Sequence, residues 1–274
     1  MRLTDEQIYQ FREQGYLTIP HFFSPREVRA MQVEVERLHR EGLLRNVATD
    51  GDGKTHSTTK INLQICPIYH KSHFFRAVPF HPQVIEVVPQ LIGDRVIQHL
   101  DQIFLKPAHC GSPTNWHQDN AYFRISDPLR GTAMWTAIHD ATIANGTLQI
   151  IPGSHKEQYE HSRDPDSDHH IRCYPPDERA VSIELPAGGV AFFCYGTAHA
   201  TGPNKTGKER AGLAIHFLHT DYANPELVEA NRTTRPYLTG PEATGGLREY
   251  GVKVEGSWEQ EVKRLLAGAG EVKC

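Results

Sequence analysis

From Val96 onward the chain is written in short segments rich in β-branched and aromatic residues, at 96–106, 133–141, 147–151, 181–185, 190–195 and 212–220. Val181, Ile183 and Leu185 alternate with polar neighbours, and Leu213, Ile215 and Phe217 repeat the two-residue period, which marks strands with one face on a core. Turns such as Pro152-Gly153-Ser154 and Pro186-Ala187-Gly188-Gly189 separate them. Strands this short bury apolar surface only against one another, so the pattern predicts an all-β sandwich or jelly roll.

The first third has a helical period instead. Thr4 is placed to cap a helix with Gln7 reaching back, Ile8 and Phe11 mark its buried side, and Gly15 stops it. After the extended Tyr16-Leu17-Thr18-Ile19-Pro20, a second helix opens with Ser24, Pro25 and Glu27, and carries Val28, Met31, Val35 and Leu38 on one stripe. A third spans Pro82–Ile92, with Val84, Val87, Val88 and Leu91 in register, before Gly93. Helices that precede the strands are expected to brace one sheet. Residues 46–59 read as a loop. Ser257 is placed to cap a last helix through Leu266, docked by Val262, Leu265 and Leu266. The polar run 156–179, with His161, His169 and His170, is too long for a simple connection. It is a lid over a site or a solvated insertion, with the insertion weighing slightly more. At 274 residues one domain is expected over 1–274: a helical bracing part at 1–95, a β core at 96–220 and a C-terminal extension at 221–274.

A formal charge of -4 argues against a nucleic-acid partner. The polar start from Met1 to Glu6 and the lack of any long apolar run argue against a signal peptide or membrane span, so a cytoplasmic location is expected. Cys66, Cys110, Cys173, Cys194 and Cys274, an odd number without C-x-x-C spacing, read as reduced thiols.

Histidine is abundant, at 17 residues, so short His motifs arise by accident and spacing must decide. A ferrous centre that also takes a chelating keto acid and O2 can give the protein only three positions, which two His and one carboxylate on one face satisfy. A His-x-Asp pair at a strand end suits this, since residues i and i+2 project together. Three exist: His99-Leu100-Asp101, His117-Gln118-Asp119 and His219-Thr220-Asp221. His219 is the last histidine and has no distal partner after it; His99 lies inside a strand pattern, where a packing role is the default. His117 follows the turn-rich 111–115 and precedes a loop, which makes it the best of the three. The distal candidate is His199, after strand 190–195. Arg210, eleven positions on, is taken alone a surface arginine; beside His199 it becomes a candidate for the free end of a buried dicarboxylate.

At these residues the chain resembles the phytanoyl-CoA dioxygenase family. The resemblance runs from Phe11 to Thr220 and rests on Gly15-Tyr16-Leu17-Thr18-Ile19-Pro20 with Phe22-Phe23-Ser24, and on Trp116-His117-Gln118-Asp119. It continues in Asn145-Gly146-Thr147-Leu148 with Ile151-Pro152-Gly153-Ser154-His155, and in His199-Ala200-Thr201-Gly202-Pro203-Asn204 with Arg210. It implies a mainly β fold with flanking helices around a double-stranded β-helix, a jelly-roll or cupin-like core. It implies an Fe(II)/2-oxoglutarate-dependent dioxygenase that consumes O2, with His117, Asp119 and His199 as metal ligands and catalytic residues. Arg210 and Thr201 match the positions that hold 2-oxoglutarate, and Lys60, Gln102 and Trp135 match cosubstrate-contacting positions of relatives. Exposed-loop, solvent-facing strand and core roles stay open for these last three.

The carboxylate at 119, which related halogenases lack, favours hydroxylation of an unactivated C–H bond with release of succinate and CO2. Desaturation, epimerisation or ring formation would start from the same hydrogen abstraction. A zinc-type hydrolase using the same ligands, or a non-catalytic small-molecule-binding protein, are the rival readings. The expected substrate is a small metabolite, with Tyr122, His109 and the 156–179 segment as candidate contacts, and oligomeric state is open.

Overall fold

Both N-terminal helices begin on side chains that satisfy their own first turn. The computed structural model describes residues 1–231 and 234–269. In it Thr4 and Gln7 form a reciprocal capping box at the start of α1 (Asp5–Gln14), which ends on Gly15 at φ 80°, where a side chain would be strained. Ser24 and Glu27 build the same box at the start of α2 (Pro25–Arg40). The remaining described helices are α3 (His73–Ala77), α4 (Pro82–Ile92), α5 (Asn120–Phe123), α6 (Pro225–Asn231), α7 (Leu247–Tyr250) and α8 (Trp258–Ala269). None of the described helices is long and apolar enough to cross a membrane.

The strands form two main sheets. The larger runs β1 (Tyr16–Ile19), β11 (Val190–Cys194), β6 (Gly131–Ala137), β13 (Arg210–His219), β4 (Val96–Lys106), β3 (Leu63–Ile65) and β2 (Arg45–Asn46) in spatial order. The smaller runs β10 (Val181–Ile183), β7 (Leu148–Ile150), β12 (His199–Thr201) and β5 (Thr114–His117). Every pairing is antiparallel. The expected sandwich of sheets with bracing helices is therefore what forms.

Alternation sorts the larger sheet into two apolar faces. Ile103, Leu105, Met134, Phe192, Leu213, Ile215 and Phe217 point outward and pack with Met31, Val35, Leu38, Val84, Val87 and Leu91 of α2 and α4. Trp135, Ala137, Phe193 and Ala214 point inward against Leu148, Ile150 and Ile183 of the smaller sheet. With both faces covered, β13 is buried along nearly its whole length.

Three expectations change. Tyr16–Ile19 is not merely extended but pairs with β11 as an edge strand. Thr114–His117, read as the end of a turn, is strand β5; all four of its residues are half-buried, so no apolar alternation betrays it. Segment 156–179 is not a solvated insertion. It contributes the ribbon β8 (Ser162–Arg163) and β9 (Ile171–Arg172), the Cys173 amide donates to the Trp116 carbonyl at 2.7 Å, and the Ile171 amide donates to the Tyr122 hydroxyl at 2.8 Å. Cys66, Cys110, Cys173 and Cys194 are free thiols; Cys274 lies outside the described residues.

One carboxylate joins three helical elements. Glu27 of α2 accepts from the indole of Trp258 in α8 at 2.5 Å, from His81 Nε2 at 3.0 Å and from the Ser24 amide at 2.7 Å. His81 Nδ1 accepts from the Gln83 amide at the start of α4, so Nε2 carries the proton offered to Glu27. Burial alone would raise this carboxyl, but the hydrogen bonds from His81, Trp258 and Ser24 outweigh it and hold it at about 2. A depressed carboxyl contributes stability above its unfolded value of 4.5, lost as pH falls toward about 2. Glu27→Gln is expected to lower the unfolding free energy by about 2 kcal/mol at neutral pH. In urea titrations at several pH values, the gap from wild type should close between these two limits; a gap unchanged down to the lower limit would show that the charge contributes nothing.

Candidate metal centre and active site

The smaller sheet delivers two imidazoles to one point because β12 and β5 are paired with His199 directly opposite His117. Their ring centroids lie 4.2 Å apart. Each ring is oriented by the same device: His117 Nδ1 donates to the Asn115 carbonyl and His199 Nδ1 to the Thr197 carbonyl, both at 2.9 Å and both two residues upstream. That fixes the tautomer and leaves each Nε2 lone pair free to coordinate. Asp119 reaches the same point by another route than strand alternation. The strand ends at His117, and Asp119 takes a helical conformation at φ -59°, ψ -32° as α5 begins.

Asp119 Oδ1 stands 3.8 Å from Nε2 of His117 and 3.8 Å from Nε2 of His199, and the three ligand atoms all lie within 4.8 Å of one another. Burial pushes both imidazoles down to about 4, so both are neutral and able to bind a metal near pH 7. Two neutral imidazoles and one carboxylate, converging from one side, fit a divalent transition metal with further positions open.

The other His-x-Asp pairs do structural work. Asp101 accepts from the Ile68 and Tyr69 amides, and the His99 ring packs edge-on against Phe123. His219 Nδ1 accepts from the Asp221 amide in a short turn, and Asp221 pairs with Arg95.

A cavity of about 280 Å³ opens in front of the three ligands, between the two sheets. Gln102 and Trp135 line it, as do Tyr122 and, from the 156–179 segment, His169 and His170. That segment therefore roofs the cavity. Thr201 lies beside it, its hydroxyl accepting from the amide of Thr114, another lining residue, at 3.2 Å. Lys60 is not brought there: its exposed ammonium pairs with Asp166 at 3.4 Å. His109 sits in a turn against Gly207, away from the lining.

Arg210 is 1% exposed at the start of β13, directly opposite Lys106 of β4, which is equally buried. Its guanidinium stands 5.7 Å from the Trp135 ring centre, donates to the Gly146 carbonyl, and leaves Nε without a partner. Gly212 makes room for this arrangement, since a Cβ there would meet Trp135 Nε1 at 2.8 Å. Lys106 Nζ donates to the carbonyls of Gly202, at 2.8 Å, and Ser112. Burial lowers Arg210 to about 10, and burial with the neighbouring Arg210 charge takes Lys106 well below its ordinary value. Among the described residues no carboxylate pairs with either cation. A buried guanidinium without a carboxylate partner is costly unless an anion joins it.

The sequence reading missed His216, Phe104, Phe193 and Gln64, all of which line the cavity. For His216 a signal existed: it alternates with Ile215 and Phe217, but an inward face under a second sheet cannot be told from a solvent face by period alone. Replacing His199 with Ala removes one of three converging donors, and anaerobic titration with Fe(II) is expected to show the loss of stoichiometric binding. A full equivalent retained by the variant would exclude His199 from the centre.

The family model described as phytanoyl-CoA dioxygenase (PhyH) matches residues 11–212. The ectoine dioxygenase of Stutzerimonas stutzeri (strain A1501) is 26% identical over 252 residues, covering 80% of this chain and 78% of that protein. The peroxisomal phytanoyl-CoA dioxygenase of Mus musculus is 26% identical over 236 residues, covering 80% and 69%. The crystal structure of EctD from S. alaskensis with 2-oxoglutarate and 5-hydroxyectoine superposes with a TM-score of 0.65 at 22% identity, over 90% of this chain and 86% of that one. A match spanning most of the chain, on the segment that builds both the sandwich and the converging ligands, assigns this protein to the phytanoyl-CoA dioxygenase family.

Proposed function

We propose that His117, Asp119 and His199 hold Fe(II), that Arg210 and Thr201 hold the far carboxylate of 2-oxoglutarate, and that the protein hydroxylates an unactivated C–H bond of a small-molecule metabolite. As a member of its family the protein is an iron- and 2-oxoglutarate-dependent dioxygenase. The observation that carries the residue roles is a three-donor cluster at a cavity whose lining includes Trp135, with the buried Arg210 guanidinium 5.7 Å from that ring and paired with no carboxylate among the described residues. Iron, 2-oxoglutarate and O2 together supply the oxidant: the keto acid is decarboxylated to succinate and CO2, and one oxygen atom of O2 goes into the substrate C–H bond.

The chain's own part is to bind, orient and exclude water. Nε2 of each imidazole and Oδ1 of Asp119 would hold the metal. A guanidinium offers a paired donor to a carboxylate, and the buried site around Arg210 makes an anion there more favourable than in water. Trp135, Phe193 and Phe104 wall the space between. A carboxylate at 119 supports hydroxylation over halide transfer. A zinc-type hydrolase would leave the buried guanidinium of Arg210 unexplained.

The cavity lining favours a small substrate without strong charge. Among the described residues it includes no Lys or Arg, and Asp119, assigned here to the metal, is its carboxylate. Gln64, Gln102 and Tyr122 offer neutral hydrogen-bonding groups, and burial keeps His170 uncharged. The net charge of -4 supports a small-molecule rather than a nucleic-acid partner, and this reading places the work in the cytoplasm.

Loading purified protein anaerobically with Fe(II) and 2-oxoglutarate is expected to give a weak visible charge-transfer band, and substrate screening to give succinate. Absence of both from wild type would sink the reading. Arg210→Ala is expected to weaken 2-oxoglutarate binding about 10- to 100-fold, the loss of a charge-assisted hydrogen-bonded pair, while iron binding persists. Unchanged cosubstrate affinity would remove Arg210 from the site.

A further inference from the structure

Asp119 turns only one of its carboxylate oxygens toward the two imidazoles. Oδ1 faces His117 and His199; Oδ2 points the other way, is buried, and has no hydrogen-bond partner. Facing it is a third imidazole. His216, on the inward face of β13, is 3% exposed, and its Nδ1 stands 3.6 Å from Asp119 Oδ2, itself buried and unpartnered. Two complementary polar atoms, each orphaned and aimed at the other, lie just beyond hydrogen-bond distance. A shift of a few tenths of an ångström closes the gap. Burying a carboxylate oxygen without a donor is costly, and that cost drives the closure.

The far side of the ring sets its direction. An ionised Asp119 only accepts, so Nδ1 must be the donor, and Nε2 of a neutral ring must then accept. The neighbour at Nε2 is a donor: Gln102 Nε2 lies 3.5 Å away. Gln102 is turned that way because its Oε1 accepts from Gln64 Nε2 at 2.8 Å. The chain of donors thus runs Gln64, Gln102, His216, Asp119, from β3 of the larger sheet to the proposed metal ligand.

Resting on the iron reading above, we propose that His216 is a positioning residue for the metal centre: its Nδ1–H holds Asp119 Oδ2, so that Asp119 binds through Oδ1 alone and leaves the opposite positions free. A carboxylate without that restraint is free to rotate and chelate through both oxygens, which would occupy a position that cosubstrate or O2 needs. The hydroxyl of Tyr195 is also buried and unpartnered, so it makes no hydrogen bond to Asp119.

The test is anaerobic Fe(II) titration of metal-free protein, with thermal melts of the metal-free forms as a check on folding. His216→Leu is expected to weaken iron binding about 10- to 100-fold, the usual cost of losing a partner behind a metal ligand. His216→Asn, whose amide nitrogen takes the place of Nδ1, should restore most of it. His216→Gln, whose amide nitrogen takes the place of Nε2, should not. Tyr195→Phe should bind as wild type does. Equal affinity in wild type and His216→Leu, equal behaviour of the Asn and Gln variants, or a loss confined to Tyr195→Phe would overturn the proposal. The Asn and Gln comparison decides the matter without the Leu variant, should that one not fold. A wild type that takes up no Fe(II) would remove the centre itself, whereas a wild type that binds and a Leu variant that binds equally removes only His216.

Discussion

The antiparallel register between β12 and β5 is the constraint on which the rest depends. With His199 opposite His117, both side chains leave the same face of the smaller sheet and meet. A slip of one residue would turn one imidazole to the opposite face, because side chains alternate at each step. The pairing also contains an irregularity: two steps along β12, from His199 to Thr201, span three along β5, from His117 to Thr114. Such a bulge re-aims side chains locally, and the Asn115 carbonyl that orients His117 lies within it.

Around that register the molecule spends buried polar groups sparingly. The two ring nitrogens that face away from the centre are paired with carbonyls two residues back. Near the site Asp119 Oδ2, His216 Nδ1 and Arg210 Nε are left unpaired, where a ligand or a small adjustment would satisfy them. Gln118, between His117 and Asp119, is also enlisted. Its side-chain amide donates to the carbonyls of Glu157, at 2.8 Å, and Gly196, at 2.6 Å, and accepts from the Tyr159 amide. The strand that carries His117 is thereby tied to the roof and to the turn before His199.

The helices reach the site indirectly. They cover the outward face of the larger sheet, whose inward face carries Gln102, Trp135, Ala214 and His216. Glu27 links α2, the start of α4 and α8, so the C-terminal extension, which the family resemblance does not cover, packs back on the N-terminal helices.

Local chemistry was legible from the chain alone. Thr4, Ser24 and Gly15 each act through neighbours within four residues, so the starts of α1 and α2 and the end of α1 could be read directly. The alternation in 213–217 likewise announced a strand. His117, Asp119, His199 and Arg210 stood out by spacing and by resemblance to a family. What the sequence could not decide was direction across distance. The spacing favoured one of the three His-x-Asp pairs, but only the fold puts it opposite His199 and commits the others to turns and packing. His216 went unread and Lys60 proved an exposed residue for the same reason: whether a polar side chain meets solvent or a cavity depends on what lies over it. That is set by contacts between residues far apart in the chain, and a local period carries no information about them.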